Sequence, residues 1–241
     1  MKKDTLFSKK GIELAEFNFG RDTAEVFDDM LNRSVPLYQE LQRMIGEIAA
    51  EFAQDGTGVY DLGCSTGVTL QTLHEHINKD IKLMGVDYSQ DMLDKCRERL
   101  TTMQVSRDCE LLQSDLNKPL KINNASVVVL NLTLQFVRPL YRDSLIRSIF
   151  EGLVEKGCLI LVEKVLGNEP SFNQIFIKFY YEMKKRQGYS KLEISKKREA
   201  LENVLIPYRL DENRQLLIRN GFTSLDIFYK WYNFCGIVAV K

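Results

Sequence analysis

The run Tyr60-Asp61-Leu62-Gly63-Cys64-Ser65-Thr66-Gly67 concentrates the residue types that a ligand-binding turn needs. Gly63 lets the backbone turn and lets a ligand come close, and Gly67 permits tight packing of the helix that follows. Free N–H groups at the start of that helix favour an anionic group. Asp61 could bind a cationic amine. Asp87 ends the run Gly85-Val86-Asp87, 24 residues after Gly63, a spacing that suits a carboxylate accepting from both hydroxyls of a ribose. Asp115-Leu116 sets a carboxylate beside a free backbone N–H, a pair that can read an adenine edge. Together these residues point to an adenosine-containing ligand. A dinucleotide turn would read GxGxxG; Gly-Cys-Ser-Thr-Gly holds only two glycines, which disfavours a pyrophosphate.

Periodicity gives the elements that must hold these residues. Apolar residues recur at helical spacing over 21–53, with a break near Pro36. Strands are predicted at 58–62, 82–87 and 110–113. The apolar, valine-rich run at 126–131 reads as a buried parallel strand, and a fifth strand follows at 158–163. Helices are predicted around 68–77, over 90–100 with Ser89 as the cap, and around 141–153. Strands and helices alternate five times, which predicts an α/β fold, a mostly parallel sheet with helices on both faces. Two last strands, 224–231 and 234–240, are expected to form an antiparallel hairpin at the sheet edge. The chain reads as a single domain: N-terminal helices over about 1–56, a sheet core over about 57–166, a helical basic insertion over about 167–206 and a C-terminal hairpin region over about 207–241. The insertion is expected over the carboxyl ends of the strands. Its 178–202 stretch carries eight basic and four acidic residues, which fits either a local anion site or a solvated helix face.

Composition removes several classes. A chain of 241 residues with 44% hydrophobic and 27% charged residues is globular, neither disordered nor fibrous. Lys+Arg and Asp+Glu are both 33, so nothing in the net charge suggests direct nucleic-acid binding. The five cysteines (Cys64, Cys96, Cys109, Cys158, Cys235) show no zinc spacing and read as reduced thiols of a cytoplasmic protein. No metal is expected. No apolar run of 18 residues is present, and the N-terminus lacks the apolar stretch of a signal peptide. His74 and His76 read as surface residues, and Cys64 as a small residue of the pocket wall rather than a nucleophile.

The Asp61-Leu62-Gly63 opening and the terminal hairpin resemble the class I S-adenosyl-L-methionine (SAM)-dependent methyltransferases, which implies a seven-stranded, Rossmann-like sheet. Other stretches resemble a narrower family. They are Asp4-Thr5-Leu6-Phe7, Ala24-Glu25-Val26-Phe27, Arg33-Ser34-Val35-Pro36, the run at 59–65, Val127-Val128-Val129-Leu130-Asn131 and Thr133-Leu134-Gln135-Phe136. In the insertion they are Gly188-Tyr189-Ser190-Lys191-Leu192-Glu193-Ile194-Ser195, Lys197-Arg198 and Leu201-Glu202-Asn203-Val204. With these the chain is similar, over essentially its whole length, to the bacterial carboxy-S-adenosyl-L-methionine (carboxy-SAM) synthases.

The resemblance implies an enzyme that converts SAM and prephenate to carboxy-SAM and phenylpyruvate. The product would serve a separate transfer RNA carboxymethyltransferase that modifies the wobble uridine. By motif, Tyr38 would contact the ligand, Gly63, Cys64 and Ser65 would line the methionyl part, and Asp87 and Tyr88 would hold ribose and adenine. Asp115 and Leu116 would read adenine, and Asn131 would face the reacting end. Arg198 would pair with the added carboxylate, a role that suits the bidentate guanidinium. A homodimer is implied; if the insertion is exchanged within it, Arg198 serves a neighbour's site. A conventional SAM-dependent methyltransferase acting on an anionic small molecule is the alternative. It predicts that Arg198→Ala leaves SAM turnover intact.

Overall fold

A computed structural model describes residues 2–8, 17–105 and 107–241. The chain runs through α1 (Arg21–Ser34), α2 (Tyr38–Phe52), β1 (Thr57–Leu62), α3 (Val68–His76), β2 (Ile81–Asp87), α4 (Gln90–Thr102), β3 (Cys109–Gln113) and β4 (Ala125–Asn131). A short 3-10 turn (Leu134–Phe136) precedes α5 (Pro139–Gly152) and β5 (Leu153–Lys164). Then come α6 (Pro170–Arg186), α7 (Lys191–Ala200), α8 (Leu210–Arg219), β6 (Ser224–Trp231) and β7 (Phe234–Val240).

The sheet order is β3-β2-β1-β4-β5-β7-β6. β1 to β5 are parallel, and β7 lies antiparallel between β5 and β6. This is the seven-stranded, mostly parallel sheet with a C-terminal antiparallel edge hairpin that the sequence predicts. β1 is buried throughout and β4 up to its last residue, as strands covered on both faces must be. One face carries Leu41, Ile45, Leu70, Val127 and Ile160; the other carries Leu62, Val128, Ile146, Ile149 and Leu161. The strand order reverses between β1 and β4, and the crevice at such a switch point is where these sheets bind ligands.

Three expectations need correcting. No helix joins β3 to β4: 114–124 is a loop, so the alternation breaks there. β5 begins at Leu153 rather than 158, with an irregular register against β4 and Lys156 at φ 61°. The C-terminal region also holds α8, whose buried Leu216 and Leu217 pack it against the sheet core. The hairpin strands lie where the sequence places them, and α6 and α7 fall within the 167–206 stretch.

Candidate ligand-binding site

The turn at 63–67 is held from three sides. The N–H groups of Gly63 and Cys64 donate to Val86 O at 2.7 and 3.0 Å, which hangs the turn on β2. The Ser65 N–H donates to Asp87 Oδ2 at 2.9 Å. Thr66 Oγ1 donates to Asp28 Oδ1 at 2.6 Å, and Arg99 joins Thr66 O to Asp28, so α1 and α4 clamp the turn between them. Gly63 and Gly67 both adopt left-handed φ, +83° and +82°. A Cβ at Gly67 would lie 2.6 Å from Cys96 Sγ, so this glycine lets α3 pack tightly against α4. A Cβ at Gly63 would collide with Thr133. That glycine therefore makes room for the loop after β4, beyond the ligand approach expected of it.

One cavity opens above this turn. Tyr38, Gly63, Cys64 and Ser65 line it, as do Asp87, Tyr88, Asp115, Leu116 and Asn131. Nine of the ten expected site residues thus meet in one place. Arg198 does not. Its side chain is 64% exposed and pairs with Glu199 at 3.9 Å. The residue before it, Lys197, points inward and lines the cavity. Phe19, Phe136, Lys164, Lys197 and Phe234 are wall residues that the sequence reading did not assign to the site. Phe234 lies at the start of β7, in the hairpin. His74 and His76 are half-buried rather than on the surface, and the His76 ring fills the space over Gly46.

The walls differ in chemistry. At the β2 end, Asp87 Oδ1 accepts from the Ser89 N–H at 2.9 Å, and Asp115 Oδ1 accepts from the Asn117 N–H at 2.9 Å. Each carboxylate is thereby fixed while keeping lone pairs for a ligand. Burial raises the Asp87 pKa. At the β4 end, Asn131 Nδ2 donates to Thr69 Oγ1 at 3.2 Å, and its buried Oδ1 has no donor. Gln42, bonded to Tyr38 and Thr69, has a second such acceptor in Oε1. Beneath the turn, Asp61 is 1% exposed and neither oxygen has a partner among the described residues. Burial, and then the Asp87 charge, push its pKa up to about 8. Asp61 does not line the cavity itself; a cation bound above it would favour its ionised form. The orphaned acceptors of Asn131 and Gln42 fit a ligand that brings hydrogen-bond donors, which would offset their desolvation. Hydrogen bonding with Cys96 and burial raise the Cys64 thiol pKa, the opposite of what a nucleophile needs. Among the described residues, no group of three or more His, Cys, Asp or Glu could hold a metal ion, and no helix is long and apolar enough to cross a membrane.

A family model described as "Methyltransferase domain" matches residues 59–157. A carboxy-S-adenosyl-L-methionine synthase of Methylococcus capsulatus is 54% identical over 242 residues, covering 100% of both chains. One from Desulforapulum autotrophicum is 43% identical over 242 residues, covering 100% of this chain and 98% of its own. A solved SAM-dependent methyltransferase from Aquifex aeolicus superposes with a TM-score of 0.61 at 15% identity, over 93% of this chain and 99% of that one, a likeness of fold alone.

Proposed function

Since the chain belongs to the carboxy-S-adenosyl-L-methionine synthase family of SAM-dependent transferases, we propose that prephenate is its second substrate and phenylpyruvate the keto acid released. The observation that carries this reading is the extent of the cavity. From Asp87 and Asp115 it runs past Asn131 and continues under the insertion to Lys164, Lys197 and Leu201. A co-substrate beside the reacting end needs such space, and a carboxylic acid needs such cations.

In this reading Asp87 and Tyr88 hold ribose and adenine, and Asp115 and Leu116 read the adenine edge. Gly63, Cys64 and Ser65 follow the methionyl part, Tyr38 closes over it and Asn131 faces the reacting end. The sulfonium acidifies the methyl group that is to be carboxylated. Phe234 helps keep water from that end, while Phe19, against Tyr88 and Phe136, covers the adenosine end.

Arg198 points away from its own cavity. We therefore assign it to a neighbouring subunit's site in a homodimer, where it binds the added carboxylate. Phe172, Ile175 and Phe179 share a helical face of α6 and are exposed, as is Tyr232 beside them, and this apolar surface favours such an assembly. A cytoplasmic location, and use of the product by a transfer RNA carboxymethyltransferase, complete the reading.

Mass spectrometry of the small molecule released on denaturing the purified protein tests it, followed by incubation with SAM and prephenate. The expected species is SAM carrying one extra carboxyl group, formed only when prephenate is present. Only SAM or S-adenosylhomocysteine, with no dependence on prephenate, would favour a conventional methyltransferase acting on an anionic small molecule.

A further inference from the structure

Where the cavity runs under the insertion, its wall is short of negative charge. Lys164 from β5 and Lys197 from α7 line it, and Lys184 from α6 stands behind them. Lys184 and Lys197 are 4% and 6% exposed. Lysine is almost never buried this deeply without a partner. The partners are unequally shared. Arg33 pairs with Asp29 at 3.1 Å. Lys197 reaches Ser34 Oγ at 3.2 Å and Asp4 at 4.0 Å. Asp4 is in turn engaged by the Tyr189 hydroxyl, which donates to its Oδ2 at 2.6 Å. Lys164 and Lys184 have no carboxylate within ion-pair distance among the described residues. Their Nζ atoms meet only aromatic faces, Lys164 over Tyr180 at 5.1 Å and Lys184 over Tyr180 and Tyr189 at 5.3 Å each. Arg33, Lys164, Lys184 and Lys197 thus face Asp4 and Asp29, an excess of two cations.

The stretches that carry the family resemblance outside the sheet supply the part of this cluster around Lys197. Asp4, Arg33 with Ser34, Tyr189 and Lys197 come from four separate segments of the chain and converge here. Folding stability alone would not select such an arrangement. Buried like charges are costly, and burial together with Lys197 and Lys164 pulls the Lys184 ammonium down to about 7.

From this geometry we infer that Lys164 and Lys197, backed by Lys184, form the subsite for a dianionic co-substrate, whose two carboxylates supply the charge the wall lacks. The inference rests on the prephenate reading and deepens it, because prephenate carries two carboxylates. It assigns them to the subunit's own lysines, apart from Arg198. The subsite separates a dianion from the monoanionic keto acid released. Two carboxylates offset the positive charge that Lys164, Lys184 and Lys197 hold in excess on entry, and one does not on exit.

Steady-state kinetics on the full-length protein test this, with SAM saturating and prephenate varied, for Lys164→Met and Lys184→Met. The expected result is a prephenate KM about tenfold higher for Lys164→Met, the loss of one charge-assisted contact, and about threefold higher for Lys184→Met, which removes charge from behind the wall. The Kd for S-adenosylhomocysteine should stay within about twofold, and Lys164→Arg should recover most of the loss. Lys184→Met removes a buried charge, so its Tm should not fall below that of the parent, and this variant decides the matter if Lys164→Met does not fold. Folded variants with an unchanged prephenate KM would overturn the subsite while leaving the prephenate reading intact. An unmodified protein that binds S-adenosylhomocysteine but makes no carboxy-SAM from prephenate would overturn both.

Discussion

Asp61 holds two carboxylate oxygens under the ligand turn with no donor to meet them. Its position at the end of β1 is legible in the sequence; its burial is not, because α2 and the turn close over it only in three dimensions. That burial couples stability to pH. The unfolded carboxyl releases its proton near 3.8, while the folded one keeps it to about 8. Between these values the folded state binds more protons, so stability falls as pH rises, and above about 8 the penalty is complete. One such group contributes a slope of about 1.4 kcal/mol per pH unit. Glu163, also raised to about 8 by burial, adds a slope of the same sign. Asp61→Asn should therefore flatten the pH dependence of the ligand-free protein by about 1.4 kcal/mol per unit. Urea unfolding at pH 5, 6 and 7 measures this, and equal slopes in the two proteins would refute it. The same substitution should weaken SAM binding above about pH 8, where the parent carboxylate is ionised, and leave it little changed at pH 6.

At the scale of elements, α7 shows how local chemistry positions a functional wall. Ser190 Oγ accepts from the Glu193 N–H at 3.2 Å, and Glu193 Oε2 accepts from the Ser190 N–H at 2.8 Å, a reciprocal cap readable as S-x-x-E. The cap fixes where α7 begins and so which way Lys197 faces. Ser190→Ala should cost about 1 kcal/mol. The loss should appear as faster hydrogen exchange of α7 amides while β1 and β4 keep their protection. Uniform acceleration across the sheet would show instead that the cap supports the whole fold. Elements were legible in proportion to their regularity. β4 is a continuous apolar run, and β6 and β7 have the bounds their pattern suggests. α8 was missed because only Leu216, Leu217 and a buried Asn213 mark its inner face over ten residues. The stretch 114–124 is a loop, which the regular alternation of strands and helices does not foresee.

For the whole molecule, the limit of the sequence is the subunit boundary. Adjacent residues on a helix point about 100° apart, and α7 turns Lys197 and Arg198 to different sides. Lys197 is inside and Arg198 is outside. Spacing alone could not say which, and it could not say that the outward residue has work to do; the resemblance supplied that role. The proposed dimer makes the consequence measurable by mixing two inactive proteins. Let one subunit carry Arg198→Ala and the other Asp87→Ala, then let them exchange. If Arg198 acts across the interface, a mixed dimer has one complete site, because the Arg198→Ala chain keeps its own Asp87 and borrows its neighbour's Arg198. Random pairing makes half the dimers mixed, each with one working site of two, so about a quarter of the parent activity should return. If Arg198 acts within its own chain, every site lacks one of the two groups and mixing restores nothing. Size-exclusion chromatography of the parent must first show a dimer, and a monomer with full activity would refute the assignment of Arg198 to a neighbour outright.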